Sequence, residues 1–289
     1  MTFAETLKKY PWAWLLVAGL LAIIYEPIFP RMVSQWEADP NYSHGFLVPF
    51  ISAWFAWKIW PELRKMPVKP SNWGIAWILF GLLLLAFGWT VHELFTTRSS
   101  LIFIFAGLIH TMFGSRVLKC LSLPVAFLIF MIPLPYTLYD ALALPLRSLV
   151  SWLATEAMHI CGILVLREGN VIILPNITLE VVEACSGMRS LVSLMALGTT
   201  YAFLTLEGMW RKIVLIITTI PIAVITNAVR IFVTGILSRH FGSVAAEGFF
   251  HDFAGFSVFA VALVLTAVTG WLLSKVPGPA KEEGCAHAD

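Results

Sequence analysis

Long runs of apolar residues constrain this sequence more than any other feature. A helix needs about 20 such residues to cross about 30 Å of hydrocarbon. Charged residues make up only 12% of the chain, against about a quarter in a typical soluble domain. We therefore predict one all-α polytopic membrane domain over residues 1–289, with about eight transmembrane helices. The predicted spans are residues 11–29, 46–60, 73–92, 100–115, 119–135, 187–206, 212–237 and 252–273.

The positions of lysine and arginine indicate the orientation of these spans. An even number of spans puts both termini on one side of the membrane. If that side is the cytoplasm, most of the 19 Lys and Arg residues, including every lysine, fall inside. The positive-inside rule favours this orientation. Residues 276–289 then form a cytoplasmic tail, and residues 11–29 are a retained span rather than a removed signal peptide.

The longest segment between predicted spans, residues 136–186, then forms an extracytoplasmic insert. Its first part has polar residues at roughly helical spacing between leucines, which predicts an amphipathic helix along the membrane surface. Its second part, VIILPNITLEVV, is rich in β-branched residues and is interrupted by Pro175-Asn176. This pattern predicts a small β-hairpin, and Cys185 follows it.

Three reactive side chains on consecutive spans reach the same predicted depth. Counting 1.5 Å per helical residue from the cytoplasmic Arg211 puts Cys185 about 39 Å away and Arg230 about 28 Å away. Counting from Lys275 puts His251 about 36 Å away. The thiol, the guanidinium and the imidazole are therefore predicted to meet at the extracytoplasmic surface.

These three groups together could catalyse acyl transfer through a thioester. A thiolate attacks a carbonyl carbon, an imidazole moves protons, and a cation stabilises the oxyanion. We therefore interpret Cys185 as the nucleophile, His251 as the general acid–base, and Arg230 as the group that stabilises the oxyanion or orients substrate. A helix that begins at Gly187 would lower the pKa of the thiol, and Arg189 would add positive potential.

Each of the three residues also has a simpler interpretation, which for His251 is a structural or interfacial role. Cys185 could form a disulfide with Cys161, the other cysteine predicted to lie outside. Arg230 could extend to the interface, although an arginine this deep usually faces the bundle and often has a function. Asn227 lies three residues earlier on the same helical face and would orient Arg230.

The histidine assignment has a rival in His44, which lies in the segment NYSHGFLVP and also maps near the outer surface. Metal binding is not predicted, because Cys120 and Cys285 map to the cytoplasmic side and the chain has no Cys-x-x-Cys pair. No organic cofactor is required by this chemistry.

Three segments in this order resemble the exosortases and archaeosortases, which are multipass membrane cysteine enzymes that process proteins with a C-terminal sorting signal. The segments are EACSGMRS at 183–190, NAVRIFVTG at 227–235 and HDFAGFSVF at 251–259. NYSHGFLVP at 41–49 also resembles the segment before the family's second span. The likeness covers nearly the whole chain.

The resemblance implies that Cys185, Arg230 and His251 are the catalytic residues, and it favours His251 over His44. It also implies a core-only bacterial enzyme of the cell inner membrane, often associated with exopolysaccharide production. Its expected substrates end in a short motif of the PEP-CTERM type, then a transmembrane helix, then a basic cluster. Glu183 and Glu180 are candidates to contact that motif. Cleavage would release the substrate, and transfer to an amine would attach it elsewhere; no nucleic-acid partner is expected.

Other classes of function remain open at this point. A transporter or channel would fit the multipass topology and an intramembrane Arg230, although the chain lacks the paired interrupted spans that would support it. A membrane acyltransferase would use the same thiol on a lipid or thioester donor. A non-catalytic assembly protein for polysaccharide export would not use the thiol.

Overall fold

The structure is a computed structural model that describes the backbone of residues 1–175, 177–181, 187–241 and 248–277. The side chains of residues 240, 241 and 248–252 lie outside this description. The chain divides into two compact units, Met1–Pro135 and a second that begins at Tyr136. Both units are mostly helical.

The first unit consists of nine helices and two 3₁₀ turns, at Ser43–Phe46 and Leu128–Met131, among its described residues. The helices are α1 (Phe3–Lys9), α2 (Pro11–Tyr25), α3 (Phe29–Ala38), α4 (Val48–Lys58), α5 (Trp60–Leu63), α6 (Trp73–Val91), α7 (Leu94–Phe113), α8 (Ser115–Cys120) and α9 (Ser122–Phe127).

Helices α6 and α7 form a close antiparallel pair because α6 has a glycine every seven residues. Gly74, Gly81 and Gly88 are all buried on α6. A Cβ atom at Gly81 would stand only 2.6 Å from the side chain of Ile104, and one at Gly88 would overlap the hydroxyl of Thr97. Small residues allow helices in a membrane to approach closely, which strengthens their dispersion contacts.

Buried polar groups tie the other elements of the first unit to α7 and to each other. The Tyr25 hydroxyl lies 2.5 Å from Ser100 Oγ, which joins α2 to α7. The Trp36 indole donates to the carbonyl of Met131 at 2.9 Å, and Ser52 donates to the carbonyl of Pro124 at 2.7 Å. Each bond satisfies a polar group that burial would otherwise penalise.

The described residues of the second unit form a small sheet and four long helices. In chain order these are α10 (Tyr136–Ile160), β1 (Leu166–Glu168), β2 (Val171–Leu174), β3 (Ile177–Glu180), α11 (Met188–Thr205), α12 (Met209–Phe241) and α13 (Gly248–Lys275). Helix α12 is the centre of this unit, since α10, α11 and α13 all pack against it.

The predicted hairpin is present as β2 and β3, which pair antiparallel with Leu174 opposite Ile177. The connecting residue 176 lies outside the described residues. The structure adds a strand that the sequence did not predict, because β1 pairs antiparallel with β2 and places Leu166 opposite Ile173. The sheet packs on α10 and α12 through a core that includes Met158, Ile172 and Ile231.

Four described helices, α6, α7, α12 and α13, are long and apolar enough to cross a membrane. Two bent pairs raise the number to six if each pair forms one span: α1 with α2, bent by 83°, and residues 122–131 with α10. The described residues therefore support a membrane protein with four to six candidate spans. The prediction of eight spans is not confirmed.

The predicted spans at 46–60, 119–135 and 187–206 account for much of this difference. Residues 46–60 yield only α4, which has 11 residues. Residues 119–135 are broken into parts of α8, α9 and a 3₁₀ turn that ends before Pro133, because proline lacks the N–H that would continue a helix. Helix α11 has 18 residues, but Arg189 and several hydroxyl groups lower its mean hydropathy.

Candidate active site

The structure describes some of the predicted site residues and not others. Arg230, Asn227 and Arg189 are described with their side chains. Cys185 and Glu183 lie outside the described residues. The backbone of His251 belongs to α13, and its side chain lies outside the description. The contacts that bear on the predicted meeting of thiol, guanidinium and imidazole are therefore those of the described residues beside them in the sequence.

The backbone beside Cys185 turns into a helix where the sequence predicts it. Gly187 has φ +77° and ψ −5° and caps the N-terminus of α11. The Leu191 amide donates to the Gly187 carbonyl at 2.8 Å, which closes the first helical turn. A left-handed φ is readily adopted by glycine because it has no Cβ atom. Cys185 thus stands two residues before the capping residue of a helix N-terminus.

Asn227 of α12 packs against this turn. A Cβ atom at Gly187 would stand 3.0 Å from Asn227 Nδ2 and 3.2 Å from Cγ. The Asn227 side chain is 3% exposed, so the amide is buried against the α11 terminus. Two features therefore favour glycine at position 187: its positive φ value and the close approach of the Asn227 side chain.

Arg230 of α12 packs against the third helix of the predicted site. A Cβ atom at Gly255 would stand 3.3 Å from Arg230 Nη2 and 3.5 Å from Cζ. The guanidinium therefore lies directly on the α13 backbone at Gly255. His251 precedes Gly255 by four residues, and positions four apart share one helical face. The guanidinium therefore contacts the same face of α13 on which position 251 lies.

One face of α12 thus connects the other two helices. Asn227 and Arg230 are three residues apart and lie on the same face. Asn227 contacts the start of α11, near position 185, and Arg230 contacts α13 one turn from position 251. This arrangement brings the described neighbours of all three predicted residues together within the second unit.

The sheet leads the chain toward Cys185. Val181, the last described residue before it, is 2% exposed and donates its amide to the Asn170 carbonyl at 2.9 Å. Asn170 Nδ2 donates back to the Val181 carbonyl at 3.2 Å. At Gly235 on α12, a Cβ atom would overlap Met158 of α10 and stand 3.7 Å from Leu179 of β3. The sheet is therefore anchored to α12 one to two turns beyond Arg230.

The supporting residues differ in their surroundings. Arg189 lies exposed on the first turn of α11, and Glu180 is exposed at the end of β3. A small crevice beside the α11 terminus is lined by Gly187 and Asn227, with apolar walls that include Leu191.

His44 belongs to the first unit, where it forms a structural contact. Its Nε2 lies 3.0 Å from the carbonyl of Phe130, which joins the two 3₁₀ turns. Burial lowers the pKa of His44, although hydrogen bonds to the backbone of Phe130 and Asn41 partly oppose this. A carbonyl oxygen only accepts, so Nε2 carries the proton in this hydrogen bond.

Cys161 is a free and exposed thiol, so the alternative of a Cys161–Cys185 disulfide gains no support. Among the residues that the structure describes, no group of three or more His, Cys, Asp or Glu side chains is arranged to hold a metal ion.

The contacts of Gly187 and Gly255 were not predicted from the sequence. Both glycines stand inside the resembling segments, and Gly255 follows His251 at helical spacing. A glycine on the same helical face as a reactive residue is the sequence pattern that points to a close approach by another group.

Comparison with known proteins identifies a family for most of the chain. A family model described as transmembrane exosortase matches residues 36–268. The matched region includes residues 36–135 of the first unit and nearly all described residues of the second. No curated protein and no solved structure matches the chain.

Proposed function

We propose, since this chain belongs to the transmembrane exosortase family, that it is a membrane-embedded cysteine protease or transpeptidase. Its substrates would be exported proteins with a C-terminal sorting signal of the PEP-CTERM type, a transmembrane helix and a basic cluster. Membership suggests an enzyme of this general kind, and the apolar helices place it in a membrane. The substrate, the residues and the mechanism below are our proposal.

The proposed reaction uses three side chains in two steps. The Cys185 thiolate attacks the carbonyl carbon of the scissile peptide bond, and Arg230 stabilises the resulting oxyanion. The tetrahedral intermediate collapses as the C–N bond breaks, and His251 gives its proton to the leaving amine. A thioester remains on Cys185. Water or an amine, deprotonated by His251, then attacks this thioester and restores the thiolate.

The observation that carries this proposal is the pair of contacts made by one face of α12. Asn227 packs on the glycine that follows position 185 by two residues, and Arg230 packs on the glycine that follows position 251 by four. Arg230 is half-buried, where a cation interacts more strongly with a developing negative charge than it would in water. These contacts support a site in which the guanidinium stands between the thiol and the imidazole.

The proposed topology puts this site at the outer surface of the cell inner membrane. We propose eight spans with both termini in the cytoplasm, which agrees with the distribution of lysine and arginine. A substrate helix in the same bilayer would reach the site by lateral diffusion. Its cleavage point would emerge from the membrane at the level of residues 185, 230 and 251.

A covalent adduct would test the proposal most directly. We expect that acid quenching of the protein during turnover of a signal-bearing substrate traps a thioester on Cys185, visible by mass spectrometry and released by hydroxylamine. The added mass should equal the substrate fragment on the N-terminal side of the cleavage point. Cys161, which is exposed and free, is the internal control and should stay unmodified.

The mass of the adduct separates the alternatives. A fatty-acyl adduct on Cys185 would identify a membrane acyltransferase and contradict the protease. Substrate conversion without any adduct on Cys185 would contradict the thioester mechanism. A transporter or channel would neither cleave the substrate nor form an adduct.

Gly255→Leu should reduce turnover by about 10²-fold, the effect of a displacement of about 1 Å in a catalytic group. The leucine side chain would occupy the volume in which the Arg230 guanidinium now lies. Cleavage rates of the purified variant in detergent or nanodiscs measure the effect.

Gly19→Leu is the matched control. Gly19 lies in α2, where a Cβ atom would have no neighbour within 4 Å, so the same substitution in a helix should leave turnover unchanged. Equal activity of Gly255→Leu and Gly19→Leu would contradict a catalytic position for the guanidinium at Gly255.

A further inference from the structure

A second polar site lies in the first unit, and its lining contains none of the residues of the proposed reaction. It is a pocket of about 480 Å³ where α2 and α3 meet the end of α6 and the start of α7. Ile28, Trp89 and Leu94 contribute apolar walls, and Arg31 and Arg98 contribute two guanidinium groups. This volume is within the range of small-molecule sites.

Arg98 is an unusual residue to find in this position. It is 3% exposed, although arginine is almost never fully buried unless it is paired. Its Nη1 donates to Gln35 Oε1 at 2.7 Å, a neutral acceptor. Its Nε is buried without a hydrogen-bond partner among the residues that the structure describes. Nε itself is shut off from the pocket, and Nη1 has only a neutral partner, so the guanidinium presents an unpaired positive charge to an anion in the pocket.

The nearest carboxylate is already engaged elsewhere. Glu93 accepts the backbone amides of Phe95 at 2.9 Å and Thr96 at 2.5 Å, which caps α7. Burial raises the pKa of Glu93, but hydrogen bonds from Thr96 and Phe95 and the charge of Arg98 outweigh this and lower it. One carboxylate beside two arginines leaves the pocket with a net positive charge.

The depth of the pocket limits which anions can reach it. The pocket surrounds the short connection between α6, which ends at Val91, and α7, which begins at Leu94. Both helices are candidate spans, and the connection between two spans lies at the membrane surface. Lipid phosphates are the anions concentrated at that level. The apolar walls suit the glycerol and the first methylenes of the chains.

We propose that this pocket binds the phosphate group of an anionic phospholipid. Arg98 donates to the phosphate from the base of the pocket, and Arg31, which is exposed, contacts it from the rim. The lipid would be held as a fixed component of the first unit. This proposal does not depend on the proposed reaction.

Native mass spectrometry of the full-length protein, delipidated and then titrated with single lipids, tests the proposal. Phosphatidylglycerol should bind more tightly than phosphatidylcholine. Arg31→Gln should weaken the binding of phosphatidylglycerol by roughly fivefold, the contribution of one arginine near an anionic surface. Arg98→Gln should weaken it by roughly tenfold or more, since it removes a buried charged hydrogen bond.

Arg64→Gln is the matched control, because Arg64 is exposed in the same unit and does not line the pocket. It should bind phosphatidylglycerol as the wild type does. Arg31→Gln removes no buried contact, so it remains informative if Arg98→Gln does not fold. Equal binding of both lipids, or unchanged binding in Arg31→Gln, would overturn the proposal. Displacement of the lipid by equimolar inorganic phosphate or by an acidic peptide would reassign the pocket to a soluble anion or a protein segment.

Discussion

Cys185→Ala is expected to abolish cleavage of signal-bearing substrates, with a loss of at least about 10⁴-fold in turnover. The proposed thioester cannot form without the sulfur, and an alanine offers no other nucleophile. Cys161 is a free thiol, exposed after the end of α10, and it takes no part in the proposed reaction. Accumulation of uncut precursor in cells that co-express the variant and a substrate measures the effect.

The variant must remain folded and inserted for this result to be informative. The substitution removes one heavy atom and leaves in place the described contacts of Gly187, Asn227 and Val181. We therefore expect a normal level in the membrane and a normal melting temperature in detergent.

Cys161→Ala is the matched control for the loss of a thiol. Cys161 is free and exposed after the end of α10, so its replacement should leave cleavage unchanged. Full cleavage by Cys185→Ala would exclude the thioester mechanism and leave the transporter and assembly-protein interpretations. Loss of cleavage in both variants would point to a general effect of thiol removal rather than to a nucleophile at position 185.

The parts of the fold that sequence reasoning predicted are those with strong local patterns. The hairpin has β-branched strands on either side of a proline turn, and the helices α12 and α13 have long apolar runs. The local pattern was therefore sufficient to predict these elements. Strand β1, with the sequence LRE, has no such pattern, and it is a strand only because it pairs with β2. Tertiary pairing of this kind is not visible in three residues.

The prediction of spans was weakest where proline and polar residues interrupt an apolar run. Hydropathy alone joined residues 119–135 into one span, although Pro124, Pro133 and Pro135 divide it into short elements. The spacing of polar residues in the first part of 136–186 predicted a helix along the membrane surface. The structure has one continuous helix there, α10, in spite of Pro145, and its position relative to the membrane stays a prediction.

The candidate site was predicted as a set of residues and not as a set of contacts. Depth counting placed Arg230 near positions 185 and 251, because helical rise is regular. It could not show that Asn227 and Arg230 pack on glycines of two different helices, because that depends on how the helices pack around α12. Of this arrangement, only the positions of Gly187 and Gly255 can be read directly from the sequence.

Arg230→Gln is expected to lower kcat by about 10² to 10³-fold, the usual effect of removing one oxyanion-stabilising donor. Glutamine keeps a polar side chain of similar length and removes the charge that the proposed transition state requires. KM should change little if the guanidinium acts on the oxyanion, because that charge develops only in the transition state. Steady-state cleavage of a purified substrate separates the two constants.

Arg230→Lys distinguishes charge from geometry. Lysine keeps the positive charge but replaces the planar guanidinium with a compact ammonium group. Arg230 Nη2 lies 3.3 Å from the position of a Cβ atom at Gly255, so the guanidinium packs closely on α13. An ammonium group would not reproduce these contacts. We expect Arg230→Lys to retain more activity than Arg230→Gln and to remain well below the wild type.

Arg239→Gln is the matched control on the same helix. Arg239 is exposed on α12, nine residues beyond Arg230, so the same loss of charge should leave kcat and KM unchanged. A rise in KM with unchanged kcat in Arg230→Gln would assign the guanidinium to substrate binding, the alternative role that the sequence left open. Wild-type constants in Arg230→Gln would remove Arg230 from the site, and the packing on Gly255 would then serve only to hold α12 against α13.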